Sequence, residues 1–171
     1  MENTVYFADN LFSAGRTEIY NQSQEKVGEL NLKSAFTSSM SVENSMGETV
    51  VEGAFPFLSG KWVITKPEGT ELGKVSASFS LFTKRYYYTA IDGRYEIESP
   101  AFSKEYTILN QGKEEVATFK KVNGLFQAAA YELKKVPDSL LTEELIAVVM
   151  GVNEIEKRRR NSSAGTGSAA T

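Results

Sequence analysis

Four consecutive basic residues, Lys157, Arg158, Arg159 and Arg160, form the densest cluster of chemically capable side chains in the sequence. Clustered Lys and Arg neutralise phosphate, whether on anionic lipid headgroups or on nucleic acid. The same run also suits a solvated helix end, where cations complement the helix dipole and keep the chain in water. A second stretch, "TKRYYY", interleaves Lys84 and Arg85 with Tyr86, Tyr87 and Tyr88. Rings and cations alternate in this way where aromatics stack on bases or sit at membrane interfaces. They also alternate in a plain strand whose tyrosines face core and surface in turn. Glu96 and Glu98 lie on one face of a strand, about 7 Å apart by strand rise, and could imitate a catalytic carboxylate pair. Their register faces outward and nothing shapes a pocket around them, so they read as surface charges.

Composition removes most other chemistry. Among 171 residues there is no cysteine and no histidine. Disulfides, thiolate nucleophiles and cysteine-liganded zinc are therefore excluded, and so are the usual catalytic base and the commonest metal ligand. No glycine-rich phosphate loop stands between a strand and a helix, since "GTGS" lies in the tail. The sequence accordingly predicts no enzyme, no cofactor and no metal. A net charge of −3 provides no overall basic field and argues against a nucleic-acid partner. The first ten residues, "MENTVYFADN", do not read as a signal peptide, which predicts a cytoplasmic location.

The elements that must position these residues read mostly as strands. Ile19, Ile64 and Ile108 stand 45 and 44 residues apart. Each is followed by a turn-forming stretch ("NQSQ", "KPEG", "NQGK"), then by Val27, Leu72 or Val116, then by a small residue, Gly28, Gly73 or Ala117. Phe12, Phe57 and Phe102 precede the isoleucines, while Phe36, Leu81 and Leu125 follow them. Each copy therefore contains a hairpin, and each is flanked by two further strand candidates, from "TVYFA" in the first to "AAAYELK" in the third. Asp92-Gly93 supplies a two-residue hairpin turn. Trp62, at the end of "FPFLSGKW", reads as core beside structural punctuation at a rim. Three copies of four strands give about twelve.

Twelve antiparallel strands hide their edges by closing into a barrel. Eight strands fill their own lumen and sixteen leave a channel, so twelve enclose a space that side chains alone cannot pack. A helix about 10 Å across fits it. The sequence supplies one over residues 142–160, with Thr142 as N-cap, Glu143 and Glu144 in the first turn and the basic run in the last. Its middle is apolar all round for eight residues, too short for a membrane span of about 20. Leu145, Ile146, Val148, Val149, Met150, Val152 and Ile155 are its predicted buried face. Gly151 predicts a strand side chain pressed close to the helix backbone. Residues 1–160 form one domain in this reading, and 161–171 a disordered tail.

The segments "NLFSAGRTEIYN", "RYEIESPAFSKEYTI" and "ELIAVVMGVNEIEKRRR" resemble the bacterial branch of the LURP-one-related family, which is grouped with tubby C-terminal domains and phospholipid scramblases. The resemblance covers about residues 3 to 162. It implies a twelve-stranded barrel around a C-terminal helix, and a family whose relatives bind phosphoinositides or act at membranes. No tubby ligand residue carries over to a matching motif here. The functional expectation is a monomeric, non-enzymatic barrel that contacts an anionic phospholipid surface through Lys157, Arg158, Arg159, Arg160, Lys84 and Arg85. The alternative is a protein-interaction or structural module. A carrier of a small apolar ligand is disfavoured, because the helix already occupies the lumen.

Overall fold

In a computed structural model, residues 1–33, 38–78, 85–100, 103–123 and 129–164 are described. Twelve strands close into one antiparallel barrel. They are β1 (Thr4–Ala8), β2 (Gly15–Tyr20), β3 (Lys26–Lys33), β4 (Ser39–Asn44), β5 (Thr49–Ala54), β6 (Trp62–Thr65), β7 (Glu71–Ala77), β8 (Arg85–Ala90), β9 (Arg94–Glu98), β10 (Tyr106–Leu109), β11 (Glu115–Asn123) and β12 (Ala129–Lys135). Each strand pairs with its sequence neighbours, and β1 closes on β12 through Thr4↔Lys134 to Ala8↔Ala130. The helix α1 (Thr142–Ala164) is the single helix among the described residues.

The hairpins follow from local chemistry. In four of them a five-residue loop carries a left-handed residue in its fourth position: Gln24, Gly47, Gly69 and Lys113, with φ between 63° and 88°. Two backbone bonds close each loop, as in Asn110 N–H to the Glu114 carbonyl and Lys113 N–H to the Asn110 carbonyl. Asn21, Asn44 and Asn110 brace three of these loops. Each carboxamide oxygen accepts the N–H of Glu25, Glu48 or Glu114, and each amide donates to the same residue's carboxylate. A register shift follows each loop, the signature of a turn whose extra residue enters the ladder as a bulge. Ile19, Ile64 and Ile108 stand opposite Gly28, Gly73 and Ala117.

The β8–β9 turn differs from expectation. It is closed by Ala90 N–H to the Gly93 carbonyl, which centres it on Ile91-Asp92, and neither Asp92 nor Gly93 takes a positive φ. The Asp92 carboxylate instead accepts the Tyr95 hydroxyl at 3.0 Å.

The core is the helix inside the barrel. Leu145, Ile146, Val148, Val149, Met150, Val152 and Ile155 are all buried, against Ile19, Leu30, Val42, Ile64, Val75, Ile97 and Ile108 from the wall. Burying seven such side chains contributes on the order of 10–20 kcal/mol. Two boundaries move. Leu141 is the N-cap, since its carbonyl accepts the first helical bond from Leu145. The Thr142 hydroxyl donates across to the Glu2 carbonyl instead, tying the helix start to the entry of β1. At the far end α1 continues to Ala164, so residues 161–164 of the expected tail are helical, and the last turn contains no basic residue.

Gly151 meets Trp62. A Cβ on Gly151 would lie 2.5 Å from the indole Cδ1, and one on Gly53 would lie 2.7 Å from its Cζ2. The fully buried indole is thus held between a glycine of the helix and a glycine of β5. Gly151→Ala gains about 1 kcal/mol of helix propensity but overpacks this slot, at about 1–3 kcal/mol. We expect net destabilisation in urea unfolding, relieved when Trp62→Leu is added. A more stable Gly151→Ala protein would contradict the packing.

Candidate functional site

Consecutive antiparallel strands place alternate connections at opposite ends of the barrel. The tight hairpin turns and the helix start occupy one end; the long connections and the helix end occupy the other, hereafter the mouth. Charge divides in the same way. In the described tight connections, chain start and helix start, Glu2, Glu25, Glu48, Glu68, Asp92, Glu114, Asp138, Glu143 and Glu144 stand against Lys66, Lys113 and the α-amine, with Lys26, Arg94, Lys134 and Lys135 at the adjoining strand ends. Among the described residues of the mouth connections and helix end, Lys61, Lys104, Lys157, Arg158, Arg159 and Arg160 stand against Asp9, Glu105, Glu154 and Glu156, of which Glu154 and Glu156 are buried and bonded to Lys157 and Tyr86. A protein with net charge −3 therefore carries a basic pole, which its composition conceals.

The helix end is laid onto the rim. Arg158 stacks its guanidinium over the Phe55 ring, 3.4 Å from the centroid, and donates to the Ser59 carbonyl at 3.4 Å. Arg159 donates to the Ser78 carbonyl at 3.2 Å. Lys157 is ion-paired with Glu154 at 3.3 Å. Arg160 is exposed. Lys104 stands over the Phe12 ring, 4.2 Å from the centroid, and its amine is held below the usual lysine range, first by burial and then by Arg160.

Arg85 does not join this group. Its side chain runs down the outer wall to Glu96, at 3.4 Å. Lys84 lies outside the described residues. "RYYY" is an ordinary strand segment: Tyr86 and Tyr88 are buried inward, while Tyr87 faces out beneath the Arg94 guanidinium. Glu96 is bound by Lys113 and Arg85, and the Lys113 bond holds its carboxyl below the usual range, so it makes no catalytic pair with Glu98.

The β5–β6 connection brings what the sequence reading missed. Pro56 to Ser59 is a turn closed by Ser59 N–H to the Pro56 carbonyl at 3.0 Å. Phe57 and Leu58 form its apex, 94% and 91% exposed. Leu58 has φ 59°, the left-handed value at the third residue of such a turn, where glycine or asparagine is usual. "FPFLSGKW" therefore divides in two. Trp62 is core, but Phe57 and Leu58 project into solvent, unlike Phe12, which packs edge-on against Phe119 and Tyr131. The Pro, Ser and Gly of "PFLSG" were the available signal: they mark a turn, and a turn's apex points outward.

Inside the barrel the helix also carries buried acids. Glu144 accepts the Tyr88 hydroxyl, Glu156 accepts the Tyr86 hydroxyl at 3.0 Å, and Glu143 pairs with the Met1 α-amine at 2.8 Å. Burial pushes the Glu144 carboxyl above the usual range, only partly opposed by Tyr88. It pushes both tyrosines up as well. Among the described residues no group of Asp and Glu could hold a metal ion.

No family model matches the chain, and no curated protein or solved structure matches it either.

A carboxyl with a raised folded pKa stabilises below its unfolded value, about 4.3, and loses that contribution as pH rises through the folded value. Glu144→Gln keeps an acceptor for Tyr88 and removes the charge. We expect the variant to melt higher than wild type at neutral pH and to converge with it near pH 4. Equal melting temperatures at neutral pH would contradict the assignment.

Proposed function

We propose that this chain is a non-enzymatic barrel that docks peripherally on anionic phospholipid surfaces, mouth first. The observation that carries the proposal is the Phe57–Leu58 apex standing beside the basic pole. An exposed bulky pair rimmed by cations matches a membrane interface, with an apolar layer below and anionic headgroups above. Burying Phe57 and Leu58 contributes about 1.5–3 kcal/mol each. Each cation near an anionic leaflet adds about 1 kcal/mol. The left-handed Leu58 supports the reading too: a bulky residue kept where glycine is easier points to a site held for function rather than for stability.

The acidic tight end orients the molecule, since it is repelled by the surface that attracts the mouth. The barrel wall is unsuited to spanning a bilayer. Its outward residues form ion pairs, such as Arg16 with Glu43 at 3.1 Å and Lys120 with Glu132 at 3.5 Å, where a membrane barrel needs an apolar band. Among the described residues no helix is long and apolar enough to cross a membrane. The closed twelve-stranded barrel with its C-terminal helix is the architecture that the resemblance to the LURP-one-related family implies, and that agreement supports the reading.

Vesicle flotation tests the reading. The protein should float with vesicles containing phosphatidylglycerol, remain behind with pure phosphatidylcholine, and release as salt shortens the Debye length to about 3 Å. Phe57→Ser with Leu58→Ser should abolish flotation while leaving the melting temperature unchanged. Leu58→Gly should raise stability by about 1 kcal/mol and weaken flotation. Binding that ignores lipid charge would exclude the proposal and favour a protein partner.

A further inference from the structure

Between the β5–β6 connection, the end of β7 and the last turns of α1 lies an open groove of about 680 Å³. Phe55, Ala77 and Ile155 line it with apolar surface, and Lys61, Arg158 and Arg159 supply its cations. The two arginines are not loose surface charges. Arg158 is anchored on Phe55 and the Ser59 carbonyl, Arg159 on the Ser78 carbonyl, so carbonyls of two different connections hold the guanidiniums beside one cavity. The volume falls in the range of small-molecule sites, about 300–1,000 Å³. Guanidinium donors recognise phosphate oxygens by paired hydrogen bonds, while the apolar lining has no use for a bare ion.

We propose that this groove is a stoichiometric site for one anionic phospholipid, with its phosphodiester between Lys61 and the two arginines and the start of an acyl chain over Phe55, Ala77 and Ile155. The inference rests on the docking proposal and deepens it: the mouth recognises an individual lipid as well as the charge of the surface. The site sits beside the Phe57–Leu58 apex, so a lipid would enter it from the bilayer into which the apex inserts. Ala77 is the inward residue at the end of β7, opposite Tyr86, and its small side chain leaves the groove open at its base.

The test uses dihexanoyl phosphatidylglycerol below its micelle concentration, followed by calorimetry and by amide shifts. Wild type should bind it saturably, one lipid per chain, with shifts at Ser76, Ala77 and Ile155. Dihexanoyl phosphatidylcholine and inorganic phosphate should each bind at least about tenfold more weakly. Ala77→Leu should remove lipid binding by filling the groove and still float with anionic vesicles, because the apex and the charges are intact. Arg158→Gln, at an exposed position, should weaken binding about tenfold and serves the test if Ala77→Leu fails to fold. Absence of saturable binding by a protein that still floats overturns the groove site and leaves surface docking standing; loss of both overturns the two together. Equal binding by inorganic phosphate, or binding indifferent to both substitutions, also overturns the site.

Discussion

A twelve-stranded barrel has a lumen wider than its own side chains can fill, and everything else in this molecule depends on how that space is occupied. The answer is α1, inserted along the barrel and packed on all sides. A helix with an apolar stripe would leave a polar face inside, so its middle turns must be apolar all round. Trp62 completes the fit. Fully buried between Gly53 and Gly151, it fills the gap between wall and helix, and it does so although its indole N–H finds no acceptor among the described residues. Leaving that donor unsatisfied costs about 1–3 kcal/mol, less than the about 3–5 kcal/mol that losing a buried tryptophan costs.

A helix that crosses the lumen must emerge at both ends, and polarity follows from that. Glu143 and Glu144 at its start and Glu154 and Glu156 towards its end are each partnered: Glu144 and Glu156 by the wall tyrosines Tyr88 and Tyr86, Glu143 by the α-amine and Glu154 by Lys157 of the helix itself. Beyond Glu156 the helix leaves the barrel, and its cations fall on the rim. The same insertion that completes the core therefore delivers Arg158 and Arg159 to fixed places beside Phe55 and Ser78. Stability and the candidate surface are two ends of one element.

Much of the architecture could be read in advance because it rests on periodic or local signals. Isoleucines at near-constant spacing, turn residues between them and an apolar run too short for a bilayer lead to a closed barrel with a helix inside. The misses share a cause: each depends on a side-chain or backbone partner that spacing along the chain does not name. Thr142 reads as an N-cap until Glu2 offers its carbonyl. Asp92-Gly93 reads as the turn centre until Tyr95 takes the aspartate. Arg85 reads as part of a basic cluster until Glu96 draws it down the wall. Phe57 shares its spacing with Phe12, yet one projects into water and the other packs on Phe119, since the connections around them differ. The charge asymmetry between the ends is invisible in a linear count because acids and bases are sorted by topology.

The central claim is that the mouth, and only the mouth, meets the membrane. Single tryptophans placed at the two ends test it directly, with Trp62 as a constant buried background: Phe57→Trp at the mouth and Met46→Trp, also exposed, at the tight end. On vesicles containing phosphatidylglycerol, the account predicts a blue-shifted emission and quenching by brominated acyl chains for Phe57→Trp, and no change for Met46→Trp. A shift at Met46→Trp, or none at Phe57→Trp on vesicles that bind the protein, would contradict it.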